Sequence, residues 1–286
     1  MSNATPQSIT PALRDWIVEQ ARAGHSPEAV LEAMKSSGWQ KDVAIDALET
    51  VLGGLLKDRA ESPALPPPNR VPDPVPSDGA TKIFAHDREV SIVMSLREPR
   101  VVVFENLLAD DECDELVALA GERLARSHTV DVATGDSEVN DARTSDGMFF
   151  ARGEHIVCQR LEARLAALLN WPVENGEGLQ VLRYRPGAQY KPHYDYFDPA
   201  QPGTPSILKR GGQRVATILT YLNTPLRGGA TTFPDVGLEV SPLKGQAVFF
   251  SYERPHPSTR SLHGGAPVLE GEKWVATKWL RVGRFE

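Results

Sequence analysis

The segment YKPHYDYF, residues 190–197, places a histidine and an aspartate one residue apart within a run of aromatic residues typical of a β-strand. Residues i and i+2 of a strand project from the same face, so His193 and Asp195 would point together and Tyr194 and Tyr196 to the other face. An imidazole and a carboxylate on one face are two members of the two-histidine, one-carboxylate triad that holds Fe(II). Taken alone, the pair is better explained as a surface salt bridge on a strand.

The C-terminal segment SLHGGAPVLEGEKWVATKWLRV, residues 261–282, contains a further histidine, His263, and a lysine, Lys273. Strand alternation would give Lys273 the same face as three residues: Val275, Thr277 and Trp279. A lysine on the inward face of a barrel is costly unless an anion meets it. A dicarboxylate that chelates iron at one end would supply that anion. The alternative is that Lys273 lies at the edge of the strand and points to solvent.

Many short strands separated by turns follow two helices in the second part of the chain. Strands are predicted at 88–96 and 100–108, a helix capped by Asp110 and a second helix at 155–170. Further strands are predicted at 179–185, 190–197, 214–223, 229–233, 238–240, 246–252 and 273–282. This order indicates a β-sandwich or barrel with the helices packed against one face.

The first 80 residues have a different composition. Residues 1–55 are predicted to form three short helices in a small bundle, which resembles ubiquitin-associated modules. Residues 56–80 contain seven prolines between Pro63 and Pro76, which favours an extended polyproline II linker. The alternative is that this stretch is itself an internal proline-rich ligand. The third predicted domain is residues 81–286.

Charge and composition narrow the classes of function. The formal net charge of −7 over 286 residues argues against nucleic-acid binding, which needs a cationic surface. No apolar stretch is long enough to span a bilayer, and the first ten residues lack a secretory signal pattern. The two cysteines, Cys113 and Cys158, lie in helical patterns and are expected to be buried thiols, so we expect a cytoplasmic protein.

Several segments strongly resemble prolyl 4-hydroxylases of the Fe(II)/2-oxoglutarate dioxygenase superfamily. They are LLADDECDELVALA at 107–120, ARTSDGMFF at 142–150, NGEGLQVLRYRPGAQYKPHYDYF, RVATILTYLNTPLRGGATTFP, KGQAVFFSY and SLHGGAPVLEGEKWVATKWLRV. Their order and spacing match the family over about residues 98–286. The resemblance implies an α+β fold with a double-stranded β-helix (jelly-roll) core, flanking helices and a metal at one open end.

The resemblance also implies roles for individual residues. His193, Asp195 and His263 would bind Fe(II), with His263 favoured over His256 of the RPHPS segment as the third ligand. Lys273 and Tyr184 would bind 2-oxoglutarate, assisted by Thr217. The peptide groove would be lined by Arg143, Ser145, Glu177, Tyr190, Arg214 and Trp279.

The activity implied is C4 hydroxylation of peptidyl proline, with succinate and CO2 as coproducts and ascorbate as the reductant. The partner would be a proline-containing peptide or protein, and the N-terminal helices could recruit a further protein. Two loops bordering the expected site, 131–141 and 198–214, are predicted to be mobile lids.

Three other functions remain open at this point. The first is a 2-oxoglutarate oxygenase that acts on a free amino acid or another residue. The second is a non-catalytic peptide-binding protein. The third is a nucleic-acid demethylase, which the acidic charge disfavours.

Overall fold

The protein divides into two compact units, Met1–Leu65 and Pro66–Glu286. The structure is a computed structural model. It describes residues 9–22, 25–61, 65–76, 78–126, 129–130, 137–138 and 143–286. Within these ranges, no helix is both long and apolar enough to cross a membrane.

The first unit contains three helices, α1 (Pro11–Arg22), α2 (Pro27–Ser36) and α3 (Lys41–Glu61). The Ser26 hydroxyl accepts a hydrogen bond from the Ala29 amide and so caps the start of α2. Apolar residues at helical spacing form a small core that includes Ile17, Met34, Ala44 and Leu48. The third helix continues to Glu61, past residue 55, where the sequence analysis ended the helical module.

Residues 66–76 lie along the second unit, whereas the sequence analysis treated them as part of a linker. The Asn69 amide donates to the Glu253 carbonyl at 2.6 Å, and Arg254 Nη1 donates to the Pro66 carbonyl at 3.2 Å. Arg100 pairs with Asp73 at 2.5 Å. An extended proline-rich chain makes no internal hydrogen bonds, so its backbone groups are free to bond to a neighbouring surface.

The second unit holds three further helices and all the strands. The helices are α4 (Asp110–Gly121), α5 (Ile156–Leu169) and α6 (Thr204–Leu208), with 3-10 turns at Val173–Asn175, Pro234–Val236 and Pro257–Thr259. The strands are β1 (Lys82–Ala85), β2 (Arg88–Leu96), β3 (Arg100–Glu105), β4 (Ala125–Arg126), β5 (Thr129–Val130), β6 (Ser137–Glu138), β7 (Asp146–Phe150), β8 (Leu179–Tyr184), β9 (Tyr190–His193), β10 (Arg214–Tyr221), β11 (Arg227–Gly228), β12 (Thr231–Phe233), β13 (Leu238–Val240), β14 (Ala247–Ser251), β15 (His263–Gly265), β16 (Val268–Glu270) and β17 (Lys273–Arg281).

Two antiparallel sheets form the body of this unit. The larger sheet has the order β1-β2-β3-β14-β10-β17-β8-β7-β4, and the smaller one has the order β13-β12-β15-β9. Leu116 of α4 and Leu161 of α5 belong to the apolar core that also holds Phe249 of the large sheet. A second core lies between the sheets and includes Phe233 and Phe250. The predicted mixture of helices and antiparallel sheets is confirmed.

Two local predictions need correction. The strand predicted at 190–197 ends at His193, and further along the Gln213 side chain bonds both backbone groups of Phe197. The cap of α4 is Ala109, whose amide donates to the Glu112 carboxylate at 2.9 Å. The loop 198–214 includes α6. The other predicted lid, 131–141, lies outside the described residues except for the backbone of β6.

Candidate active site

Two histidines and one aspartate come together at the end of the small sheet. His193 ends β9 and His263 begins β15, and the two residues are directly opposite each other in the antiparallel ladder. Asp195 follows β9 by two residues. Its Oδ1 lies 3.4 Å from His193 Nε2, and its Oδ2 lies 3.5 Å from His263 Nε2. Within the part of the chain that the structure describes, this is the cluster able to hold a metal ion, with ligand atoms within 4.8 Å of one another.

Both imidazoles present a free nitrogen to the centre of the cluster. His193 Nδ1 lies 2.9 Å from the Lys191 carbonyl, and His263 Nδ1 lies 3.0 Å from the Ser261 carbonyl. A carbonyl only accepts, so each Nδ1 carries the proton and each Nε2 keeps its lone pair. Burial lowers the pKa of His263 to about 4, which leaves this ring neutral at pH 7. The two Nε2 atoms and the Asp195 carboxylate are therefore ready metal donors.

The Asp195 carboxylate is buried and held in one orientation. Thr217 Oγ1 donates to Asp195 Oδ2 at 2.7 Å and lies 2.9 Å from the Tyr252 hydroxyl. Burial opposes ionisation, but His263 and His193 hold the pKa of Asp195 well below its usual range. Thr217, which was predicted to assist in cosubstrate binding, contacts the carboxylate and so can orient it as a metal ligand. Its part in cosubstrate binding stays a prediction.

Lys273 lies in a narrow cavity of about 40 Å³ that the three residues of the cluster also line. Its side chain is buried, and no carboxylate among the described residues pairs with it. The rings of Tyr184 and Tyr221 lie 5.7 and 5.5 Å from its Nζ. Burial lowers the pKa of Lys273 to about 8. Lys273 therefore does not point to solvent, and this cavity offers a cation without a protein counter-ion.

Strand alternation puts the predicted residues of β17 on the cavity side. Four members of the strand line the cavity: Lys273, Val275, Thr277 and Trp279. Alternate residues Trp274, Ala276 and Leu280 belong to the apolar core under the helices. The Thr277 hydroxyl is buried without a hydrogen-bond partner among the described groups. A bound ligand in this cavity would give it one.

A larger cleft of about 920 Å³ adjoins the cavity and shares several lining residues with it, including Tyr190, His193 and Trp279. Tyr190 stacks on His193 with ring centroids 3.7 Å apart, and the Arg143 guanidinium lies 4.9 Å from the Tyr190 ring. The Arg214 guanidinium lies 4.0 Å from the Trp279 ring. These contacts give the cleft rigid aromatic walls beside the metal cluster.

Two buried donors in the cleft lack partners. Arg143 Nη2 donates to Gln180 Oε1 at 2.8 Å, but its Nε finds no partner in the described structure. The same holds for Trp279 Nε1. Buried donors are almost always satisfied in native proteins, so two unpaired ones in residues that line the same cleft are unusual.

The structure places two predicted groove residues behind the wall of the cleft. Glu177 is buried and pairs with Arg214 at 2.7 Å and with Arg281 at 2.6 Å. Ser145 is fully buried, and it lines neither the cavity nor the cleft. Glu177 therefore acts on the cleft through Arg214, which it holds against Trp279.

Residues on neighbouring strands complete the site. Gln180 and Leu182 share the face of Tyr184 on β8, so strand alternation from Tyr184 could have found them. Thr231 and Tyr252 carry no such signal, because they belong to other segments. His256, the rival third ligand, lines the cleft but lies outside the metal cluster.

Comparisons with known proteins agree with this geometry. The model of the 2OG-Fe(II) oxygenase superfamily matches residues 179–281. Prolyl 4-hydroxylase 2 of Arabidopsis thaliana is 42% identical over 212 residues, which cover 66% of this chain and 69% of that protein. Prolyl 4-hydroxylase 1 of the same organism is 46% identical over 200 residues, 64% of this chain and 69% of that protein.

Solved structures show the same likeness. The viral collagen prolyl hydroxylase vCPH from Paramecium Bursaria Chlorella virus-1, in its 2OG complex, superposes with a TM-score of 0.50 at 31% identity. The match covers 63% of this chain and 95% of the viral one.

Proposed function

Since the chain belongs to the prolyl 4-hydroxylase family of the 2OG-Fe(II) oxygenase superfamily, we propose that it hydroxylates peptidyl proline at C4, using Fe(II), 2-oxoglutarate and dioxygen. Succinate and CO2 are the coproducts. One observation carries the proposal: the cluster of His193, Asp195 and His263 and the unpaired, buried Lys273 line a single cavity. The cluster would require a metal ion, and the buried ammonium of Lys273 would require an anion; a dianion that also contacts the metal meets both needs.

The donor set fits ferrous iron. Two imidazole Nε2 atoms and one carboxylate form the facial arrangement typical of non-haem Fe(II) oxygenases, which leaves positions for other ligands. Iron bound there would activate dioxygen with electrons from the cosubstrate, and ascorbate would keep the metal reduced. The backbone carbonyls of Lys191 and Ser261 fix the rings, and Thr217 fixes the carboxylate.

The cavity fits 2-oxoglutarate. We propose that its keto-acid end lies at the metal and that its distal carboxylate pairs with the Lys273 ammonium. Tyr184 and Thr277 line the same cavity, and in this proposal their hydroxyls donate to that carboxylate. Since burial lowers the pKa of the free Lys273 ammonium, binding of an anion beside it should raise that pKa again.

The sheet order supports a double-stranded β-helix core. Strands β14-β10-β17-β8 of the larger sheet face the four-stranded sheet β13-β12-β15-β9 across the apolar core of Phe233 and Phe250. This gives two four-stranded sheets with the metal cluster at one end. Strands β1, β2 and β3 extend the larger sheet beyond that core.

The cleft fits an extended proline-containing peptide. Aromatic rings pack well against prolyl rings, and the free carbonyls of such a chain need donors. Tyr190 and Trp279 offer rings, while Arg143 Nε and Trp279 Nε1 offer unused donors. Arg214 stacks on Trp279 and keeps that ring in place.

The experiment that tests this function compares two substrates. Protein loaded with Fe(II), 2-oxoglutarate and ascorbate is incubated with a poly-proline peptide or with free proline, and succinate and peptide mass are measured. We expect succinate and the gain of one oxygen atom with the peptide alone. Equal turnover of free proline would favour a free amino acid oxygenase instead.

We also propose that the three N-terminal helices form a separate module that binds a protein partner and that the enzyme works in the cytoplasm. Trp16 and Trp39 are only partly buried at the edge of the helical core, which supports a contact role. Cys113 and Cys158 are free and buried, as a reducing compartment allows. A proximity-labelling experiment in cells with the Trp16→Ala variant would test the partner, which that change should release.

A further inference from the structure

The cleft is also lined by residues that the proposed reaction does not use. Five of them form what we call the outer subsite: Tyr194, Tyr196, Pro255, His256 and Pro257. We propose that the outer subsite binds a second prolyl residue of the same peptide, one polyproline II turn from the residue that is hydroxylated. This inference rests on the proposed function and specifies which peptides the enzyme prefers.

The two tyrosines reach the cleft because β9 is short. A strand through residue 197 would turn Tyr194 and Tyr196 away from His193 and Asp195. The strand ends at His193, so all four residues line the cleft. The rings of Tyr194 and Tyr196 stack with centroids 4.8 Å apart. Tyr196 is buried and contacts Tyr252, whereas Tyr194 is only half-buried and offers its ring to the cleft.

His256 supplies a hydrogen-bond donor next to these rings. Its Nδ1 accepts from the Ser258 amide at 3.0 Å, so the proton of the neutral ring is on Nε2. No partner for Nε2 is found among the described residues. A polyproline II chain has carbonyls with no internal partners, and Nε2–H is suited to one of them.

The loop that carries His256 is held rigidly. Pro255 and Pro257 restrict the backbone on both sides of the histidine, and Pro257 begins a 3-10 turn. Outside the cleft, the Glu253 carbonyl and the Arg254 guanidinium bond the backbone of residues 66–69. A preformed wall costs little to order when a ligand binds.

The chemistry of the outer subsite matches that of other proline-binding grooves. Aromatic faces and a side-chain donor that contacts a carbonyl are the usual means by which proteins hold a polyproline II ligand. In that helix every third residue returns to the same face, about 9 Å along the chain. Tyr190 and Trp279 beside the metal would hold the reacting residue, and the outer subsite would hold the residue three positions away.

The test uses a proline peptide of about nine residues, three turns of polyproline II. Mass spectrometry first locates the proline that the wild-type protein hydroxylates. Two further peptides carry alanine in place of the proline three positions before or after that residue. We expect one of the two changes to raise KM about fivefold while kcat stays the same.

The variant His256→Ala should raise KM for the parent peptide about fivefold, with kcat and the KM for 2-oxoglutarate unchanged. One of the two alanine peptides is expected to raise KM in the wild-type protein. In His256→Ala, that peptide should raise KM no further, because both changes remove the same interaction. Tyr194→Leu should give a similar loss with normal iron content. His25→Ala, which changes an exposed histidine of the N-terminal unit, is the matched control and should behave as the wild type.

The inference would be overturned if KM is unchanged in His256→Ala, or if the rises in KM from the variant and from the alanine peptide multiply fully. Either result leaves the proposed function intact. Turnover of the parent peptide by the wild-type protein is the separate test of the function. If the protein turns over no proline peptide, the proposed function and this inference are both wrong.

Discussion

His193 and His263 lie directly opposite each other in neighbouring antiparallel strands, although β10 and β14 of the large sheet lie between them in the chain. The next residue, Gly264, allows this close pairing, because a Cβ there would lie 2.9 Å from the Tyr190 carbonyl oxygen. Asp195 completes the group from the bend after β9. The register of one strand pair therefore determines the metal site.

Iron binding should depend on His263 and not on His256. His263→Ala removes one of three protein donors, and we expect iron content to fall from about one per chain to near zero. His256→Ala is the control, since this residue lies in the same part of the chain but outside the cluster. Metal analysis of proteins loaded with Fe(II) without oxygen is the measurement. Loss of iron in His256→Ala alone would identify the other histidine as the ligand.

Binding of 2-oxoglutarate should weaken as the pH rises above about 8. Burial lowers the pKa of Lys273 to about 8, so above this pH the free enzyme loses the ammonium that the distal carboxylate needs. Binding must then take up a proton, and the dissociation constant should rise about tenfold for each pH unit. Lys273→Arg keeps its charge, and its affinity should stay level over the same range. Titration of the iron-loaded protein followed by fluorescence measures both, and parallel pH curves would contradict the assignment.

Removal of the Thr217 hydroxyl should loosen the metal rather than the cosubstrate. Thr217→Val keeps the shape of the side chain but leaves Asp195 Oδ2 without its 2.7 Å donor. Changes to groups that orient metal ligands typically cost about 10- to 100-fold in metal affinity. Thr217→Ser retains the donor and should stay close to the wild type. A chelator competition assay gives the iron affinity. A raised KM for 2-oxoglutarate with normal iron affinity would instead return Thr217 to the cosubstrate role that the sequence analysis gave it.

Alternation along β17 was predictable from the sequence because the strand is regular and buried throughout. Its period of two places Lys273 and Trp279 towards the cavity and Trp274 towards the helices. The helix predicted at 155–170 was found within a residue of both ends for the same reason: its apolar face repeats regularly. The short helix α6, with no such repeat, was not predicted. Patterns that repeat within one element survive folding unchanged.

Contacts between distant segments were not predictable in this way. The backbone of Phe197, in the bend after β9, bonds the side chain of Gln213. The role of Thr217 depends on Asp195, and that of Glu177 depends on Arg281, over 100 residues away. The packing of residues 66–76 depends on Glu253 and its neighbour. In each case the two partners meet only in the folded protein, and no local sequence pattern predicts which residue the other will contact.

The buried ion cluster behind the cleft should contribute strongly to stability. Glu177→Gln leaves Arg214 and Arg281 buried without a carboxylate, and we expect a loss of about 3 kcal/mol in the free energy of unfolding. The control is Glu89→Gln, which breaks the exposed pair with Lys82 and should cost less than about 1 kcal/mol. Urea denaturation compares them. Equal losses in the two variants would show that the buried cluster has no special weight.

The most direct test of the whole account is the fate of dioxygen. The iron-loaded protein is given 2-oxoglutarate, a proline peptide and oxygen-18 gas, and both products are analysed by mass spectrometry. We predict one labelled oxygen on C4 of a prolyl residue and one in succinate for each turnover, with both lost in Asp195→Ala. Unlabelled hydroxyproline, or succinate made without any modified proline, would contradict the claim that the metal cluster and Lys273 serve one hydroxylation site.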